Sequence, residues 1–205
     1  ALLLAGVHAL TRDPIAAAER RAALDALGIV LPAATYDNDP LADALTVHAP
    51  AWLGREATTL QRARLRGEPA ALVLPVTAPD GYGGPIDLLV AVDAGGRVLG
   101  VRVTAHRETP GLGDDIDVRR SDWITRFTGR ALGDPPEERW GVRRDGGDFD
   151  QFAGATITPR AVVEAVQRTL GFVRVHGDAA WAAPAGATLR FDDAPDRGTP
   201  PETAR

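Results

Sequence analysis

The sequence predicts an α+β domain, on three observations. Strand-like apolar runs lie at 70–77, 86–92 and 97–104, with a turn between the last two. Helical spacing marks two segments, one opening near Pro14 and one at Pro159. The two kinds of element do not follow a strict βαβ alternation, which separates α+β from a doubly wound α/β design.

The elements follow in chain order. Residues 1–10 are apolar apart from His8, too few to cross a bilayer, which takes roughly 20. They are read as the outer end of a single, truncated membrane anchor, with a signal-peptide remnant or a buried core segment as the alternatives. Thr11-Arg-Asp-Pro14 carries helix-start chemistry, since Pro suits the first turn and Asp13 suits the positive end. Ile15, Ala18, Ala22, Ala26 and Val30 then recur at helical spacing until Leu31-Pro32 ends the run, so 11–32 reads as a linker helix. Asp93-Ala-Gly-Gly96 joins two strand runs as a hairpin turn. A short helix is expected near 121–127 with Ser121 as its N-cap. Thr158-Pro159 opens the later helix, with Val162, Ala165, Val166, Thr169 and Val173 on one face. Residues 177–205 are rich in Pro, Ala and charge, and are expected to form a disordered tail.

Composition narrows the function. The 205 residues include 23 Lys+Arg, 28 Asp+Glu and no Cys or Met, for a net charge of −5. Every one of those bases is Arg. The acidic balance argues against a nucleic-acid partner. Zero Cys excludes disulfides, thiolate nucleophiles and iron–sulfur ligation by this chain. Without Lys there is no Walker phosphate loop, and no G-x-S-x-G elbow occurs either.

Three segments carry residues that a fold alone does not demand. In Asp80-Gly-Tyr-Gly-Gly-Pro85, glycines around one Tyr allow close backbone approach to a ligand, or simply make a turn. His106-Arg-Glu-Thr-Pro-Gly-Leu-Gly113 puts a polar cluster at a strand end. There His106 and Glu108 are candidates for an acid/base pair or half of a metal site, or His106 is a plain loop residue. The four histidines have no metal-ligand spacing, so no metal is expected. The third segment runs from Asp145 to Pro159. Thr156 and Thr158 lie just before or at the start of a helix, where free N–H groups and the dipole would stabilise a phosphate held on a Thr hydroxyl. A simple Thr N-cap is the competing reading. Asp145, Asp148 and Asp150 either assist in that chemistry, hold the loop, or form a solvated acidic turn. Ala-Gly-Ala-Thr recurs at 185–188 without a helix behind it, so context separates the two copies.

Four ordered blocks carry a resemblance: residues 80–90 (DGYGGPIDLLV), 106–114 (HRETPGLGD), 121–124 (SDWI) and 145–162 (DGGDFDQFAGATITPRAV). Together with the 13–30 helix, they resemble the G subunit of the Rnf ion-translocating electron-transport complex over roughly residues 1–175. The resemblance implies a twisted, mainly antiparallel sheet with flanking helices, an FMN-binding domain over 33–176. That domain is similar to the C subunit of the sodium-pumping NADH:quinone reductase. It implies FMN attached as a phosphoester to the last Thr of a [Ser/Thr]-Gly-Ala-Thr motif, here Thr156, installed by a flavin transferase from FAD. Gly154, Ala155, Thr158, Gly81, Tyr82, Gly83, Glu108, Thr109, Leu112 and Gly113 would surround the cofactor. The first motif position is Ala153 here, a departure that removes a hydroxyl whose hydrogen bond would contribute about 1 kcal/mol. The implied partners are the other Rnf subunits and the membrane. The implied setting is a single-pass protein of the bacterial inner membrane with its soluble domain on the periplasmic side. Within it the chain passes electrons rather than catalysing a reaction alone, and no general base is assigned. The competing reading is a non-redox docking or assembly module with Thr156 unmodified.

Overall fold

The computed structural model describes residues 18 and 20–195. The apolar run at 1–10 and the last ten residues lie outside the described residues. Among the described residues, no helix is long and apolar enough to cross a membrane.

Six strands form one sheet: β1 (Ala44–His48), β2 (Thr58–Leu65), β3 (Glu68–Ala78), β4 (Ile86–Asp93), β5 (Val98–Ala105) and β6 (Thr188–Arg190). Their order is β5-β4-β3-β2-β1-β6, and every pairing is antiparallel except β1 with β6. The expected α+β class with a mainly antiparallel sheet is what the chain adopts. Asp93 shapes the β4–β5 hairpin through Oδ1, which accepts the amides of Gly95 (2.8 Å) and Arg97 (2.9 Å). Gly96 takes the left-handed conformation the turn requires, at φ 82°.

Alternation along β3 and β4 explains how both faces of the sheet are covered. Leu72, Leu74, Val76 and Ala78 of β3, with Ile86, Leu88, Val90 and Val92 of β4, face the main core. The intervening Ala71, Val73, Leu89 and Ala91 face the other way and meet Leu27, Val30 and Leu31. Leu27 and Val30 belong to α1, whose described helical stretch covers 20–30. A short helix, α2 (Pro50–Leu53), precedes β2. The main core is closed by a 26-residue helix, α3 (Ile157–Ala182), through Ala161, Val162, Ala165, Val166 and Leu170. Each such Val or Leu burial contributes roughly 1.5–3 kcal/mol. Trp52 of α2 lies against α3, and a Cβ on Gly171 would lie 2.7 Å from its ring, so this helical position has to be glycine.

Two sequence expectations change. The helix near 121–127 is a 3-10 turn over Trp123–Phe127, with the Ser121 hydroxyl accepting the Trp123 amide at 3.0 Å. The expectation of disorder from 177 onward is overturned for residues 177–190. Helix α3 continues to Ala182, and Thr188–Arg190 add an edge strand alongside β1. The reason is pairing that composition does not register. The Arg62 guanidinium, in a residue 2% exposed, donates to the carbonyls of Ala180 (2.8 Å) and Ala183 (2.6 Å), satisfying the end of α3. Beyond β6, Phe191 meets Phe172 edge-on and lies against the His176 ring. The second Ala-Gly-Ala-Thr copy becomes a turn into β6, with Gly186 at φ 78°.

Candidate functional site

Sheet register gathers the segments singled out in the sequence. Thr77 and Asp87 are partners across β3–β4, and Asp87 and Ala105 across β4–β5. The turn at 79–85 and the segment after Ala105 therefore leave the sheet at the same end. The start of α3 reaches that end as well, through Thr158.

Glu108 joins the three segments. Its carboxylate is buried, at 5% exposure for the residue. Oε1 accepts the Gly83 amide at 2.9 Å, and Oε2 accepts the Thr158 hydroxyl. Thr158 is itself fully buried. Close backbone approach enforces small residues around this knot. A Cβ on Gly83 would lie 2.0 Å from the Arg107 carbonyl oxygen, and one on Gly113 would lie 2.8 Å from Glu108 Oε2 and 2.9 Å from Thr158 Oγ1. The Glu108 amide donates to His106 Nδ1 at 3.2 Å. Histidine and carboxylate are thus not joined as an acid/base pair, because the carboxylate is turned inward to Gly83 and Thr158.

Around the knot lies a cleft of about 340 Å³, within the range of small-ligand sites. Its lining comprises Tyr82, Glu108, Thr109, Leu112, Gly113, Gly154, Ala155, Thr156, Ile157 and Thr158. Gly81 and Gly83 stand outside the lining. Gly81 closes the supporting turn, where a Cβ would meet the Gly84 carbonyl oxygen at 2.3 Å. Ile157 is the lining residue that sequence reasoning passed over. Its only signal was its place between the two threonines. Tyr82 is 70% exposed, and Leu112 and Ile157 are exposed too, so the rim offers large apolar surfaces unused by the fold.

Thr156 is the N-cap residue of α3, but its hydroxyl makes no capping hydrogen bond. The N-cap reading of Thr156 therefore holds for its position and not for its side chain. Thr158 is inside the helix, committed to Glu108 and not to a cap. The first turn of α3 carries no acidic residue, and its amides at Ile157 and Thr158 have no partner within the helical ladder. The polar end of α3 thus meets the cleft beside an unengaged hydroxyl. Gly154, at φ 77°, makes the bend leading into it.

The acidic loop before the helix is tied down by arginines. Arg160 Nε donates to Asp145 Oδ2 at 2.7 Å, Arg126 Nη1 to Asp150 Oδ2 at 2.7 Å, and Arg139 pairs with Asp148. The hydrogen bond from Arg160 holds the Asp145 carboxyl below its usual range. Of the three roles open to these aspartates, holding the loop is the one that has visible contacts. Among the described residues, no group of three His, Cys, Asp or Glu side chains converges as a metal site would require.

The residues present fit an FMN. A cleft of suitable size has apolar walls for a ring system, and a helix N-terminus with a free hydroxyl suits a phosphate. Comparison with known proteins agrees. Residues 81–171 match the FMN-binding domain family. The chain is 52% identical over 171 residues to the G subunit of the ion-translocating oxidoreductase complex of Pseudomonas aeruginosa, covering 83% of this chain and 80% of that one. It is 54% identical over 169 residues to the corresponding subunit of Cronobacter sakazakii, covering 81% and 79%. With that of Vibrio atlanticus it shares 44% identity over 182 residues, covering 89% and 87%.

Proposed function

The chain belongs to the G-subunit family of ion-translocating oxidoreductase complexes, and from that premise we propose that it carries FMN as a phosphoester on Thr156 and passes electrons within such a complex. Bound FMN supplies the redox chemistry, and the protein supplies position and surroundings. The observation that carries the attachment site is the Thr156 hydroxyl, free of any capping bond at the N-terminus of α3, in a residue that lines the cleft. The helix end stabilises the remaining phosphate charge by about 0.3–1 kcal/mol, with no Lys needed. Tyr82, Leu112 and Ile157 offer apolar walls for the ring, while the Glu108–Thr158–Gly83 knot keeps those walls in register. A flavin transferase acting from FAD is the agent that would form this bond. The apolar run at 1–10 suits a tether to the membrane, with the domain on the periplasmic side beside the other subunits.

The test is direct. Purified chain, matured with the transferase, is denatured and run on a gel under ultraviolet light. A fluorescent band whose mass exceeds the polypeptide by FMN minus water is the expected result. Thr156→Ala should abolish that colour while leaving the fold intact, since the Thr156 hydroxyl makes no capping bond to lose. A colourless wild-type band of unmodified mass would instead favour a docking module, and covalent flavin retained by the variant would move the acceptor elsewhere.

A further inference from the structure

A second cleft, larger than the first at about 450 Å³, shares no lining residue with it. Three arginines line it, Arg126, Arg130 and Arg143, together with Thr128, Gly129, Phe149, Asp134 and Asp148. Both lining aspartates are already matched by arginines outside the lining: Asp134 by Arg97 at 3.5 Å, and Asp148 by Arg139. Arg126 and Arg143 share a single carboxylate, that of Asp150, at 2.7 and 3.1 Å. Among the described residues, the Arg130 guanidinium has no hydrogen-bond or ion-pair partner. The cleft and its surroundings therefore hold more arginines than carboxylates, on a chain of net charge −5.

The mount is rigid. Main-chain bonds hold residues 129–130 against the start of β5, with the Val98 amide donating to the Arg130 carbonyl and the Gly129 amide to the Val98 carbonyl, both at 2.8 Å. Phe149 is buried against Phe127 below, with ring centroids 4.7 Å apart. Arginine's planar fork matches the oxygens of a phosphate, and a concave site brings several forks onto one group. A flat acidic protein surface would gain little from such a recess.

We propose that this cleft binds a phosphate group, carried either by a soluble phosphorylated compound or by an anionic lipid headgroup. Arg130 is its principal anchor, and Arg126 and Arg143 add further guanidinium groups to the same lining. The ligand supplies the anion that the shared Asp150 only half provides.

Calorimetric titration of the full chain with pyrophosphate, and co-sedimentation with phosphatidylglycerol vesicles against phosphatidylcholine vesicles, test the proposal. Saturable pyrophosphate binding without vesicle binding identifies a soluble ligand, and the reverse identifies a headgroup. Either result should weaken about tenfold in Arg130→Gln, the loss expected for one charge-assisted hydrogen bond. Both should also weaken with added salt. Arg130→Gln breaks no ion pair and should fold normally, and Arg143→Gln provides an independent second variant. The proposal is overturned if wild-type chain binds neither probe at millimolar concentration. It is equally overturned if both variants bind as wild type does, or if a poly-glutamate peptide binds while both phosphate probes do not.

Discussion

With one oxygen on the Gly83 amide and the other on the Thr158 hydroxyl, the Glu108 carboxylate ties a turn, a strand exit and a helix start into one site. Glu108→Ala leaves both donors without a partner, and should cost about 1–3 kcal/mol in urea denaturation. Glu108→Gln retains an acceptor for one donor and should cost less. Gln would be indistinguishable from Ala only if the knot contributed nothing specific. Thr156 behaves in the opposite way. Its hydroxyl caps nothing in the helix, so Thr156→Ala should leave stability nearly unchanged while removing covalent flavin. Asp117 makes a further prediction at this scale. The Arg119 guanidinium beside it lowers its carboxyl pKa from 3.8 to about 2, and Arg160 lowers that of Asp145. A carboxyl depressed in the folded state adds stability above pH 3.8, and that stability is lost as the pH falls toward 2. Acid titration of the unfolding free energy should therefore decline across that interval, and Asp117→Asn should flatten the decline.

At the scale of elements, the two ends of α3 have different tasks. Its N-terminus is left open toward the cleft, whereas its C-terminus is closed by Arg62, which also pairs with Asp43, while Arg64 shares that carboxylate at 2.7 Å. Arg62→Ala would remove a partner from Asp43 and from the last carbonyls of the helix. Arg64 still neutralises Asp43, so the cost is that of the unpaired helix-end carbonyls, about 1–3 kcal/mol, and thermal melting should detect it without a change in the cleft. This arrangement also accounts for what the sequence concealed. Strand β2 reads Thr-Thr-Leu-Gln-Arg-Ala-Arg-Leu over 58–65, and Arg62 breaks the apolar alternation that announces a strand. Its inward turn is intelligible only once α3 lies across that face. Strand β6 is three residues long and held by main-chain bonds to β1, which side-chain pattern does not encode. Strands β3, β4 and β5 were legible because their apolar runs are long and punctuated by a Gly-rich turn.

For the whole molecule, the site was more legible than the fold around it. The segments 80–85, 106–113 and 145–159 each stood out locally through Gly, Pro and Thr in unusual company, and the sheet register unites them at one end. Their meeting point at Glu108 was not visible, because a buried carboxylate looks like any loop acid until its donors are in place. The acidic total charge likewise hid the concentration of arginines around Arg130. Membership of the G-subunit family of ion-translocating oxidoreductase complexes accords with the proposed flavin site, and none of these 205 residues is a Cys that could ligate an iron–sulfur centre.

That Thr156 carries the flavin is the central claim, and site-resolved mass spectrometry of the matured chain tests it most directly. Cleavage after Arg144 and Arg160 releases one peptide, residues 145–160, that contains both Thr156 and Thr158, while Thr188 falls in a different peptide. Fragment ions that include Thr156 should carry an FMN-minus-water increment, with Thr158 unmodified. An increment on Thr158 or Thr188, or none on any peptide of fully matured protein, would contradict the assignment.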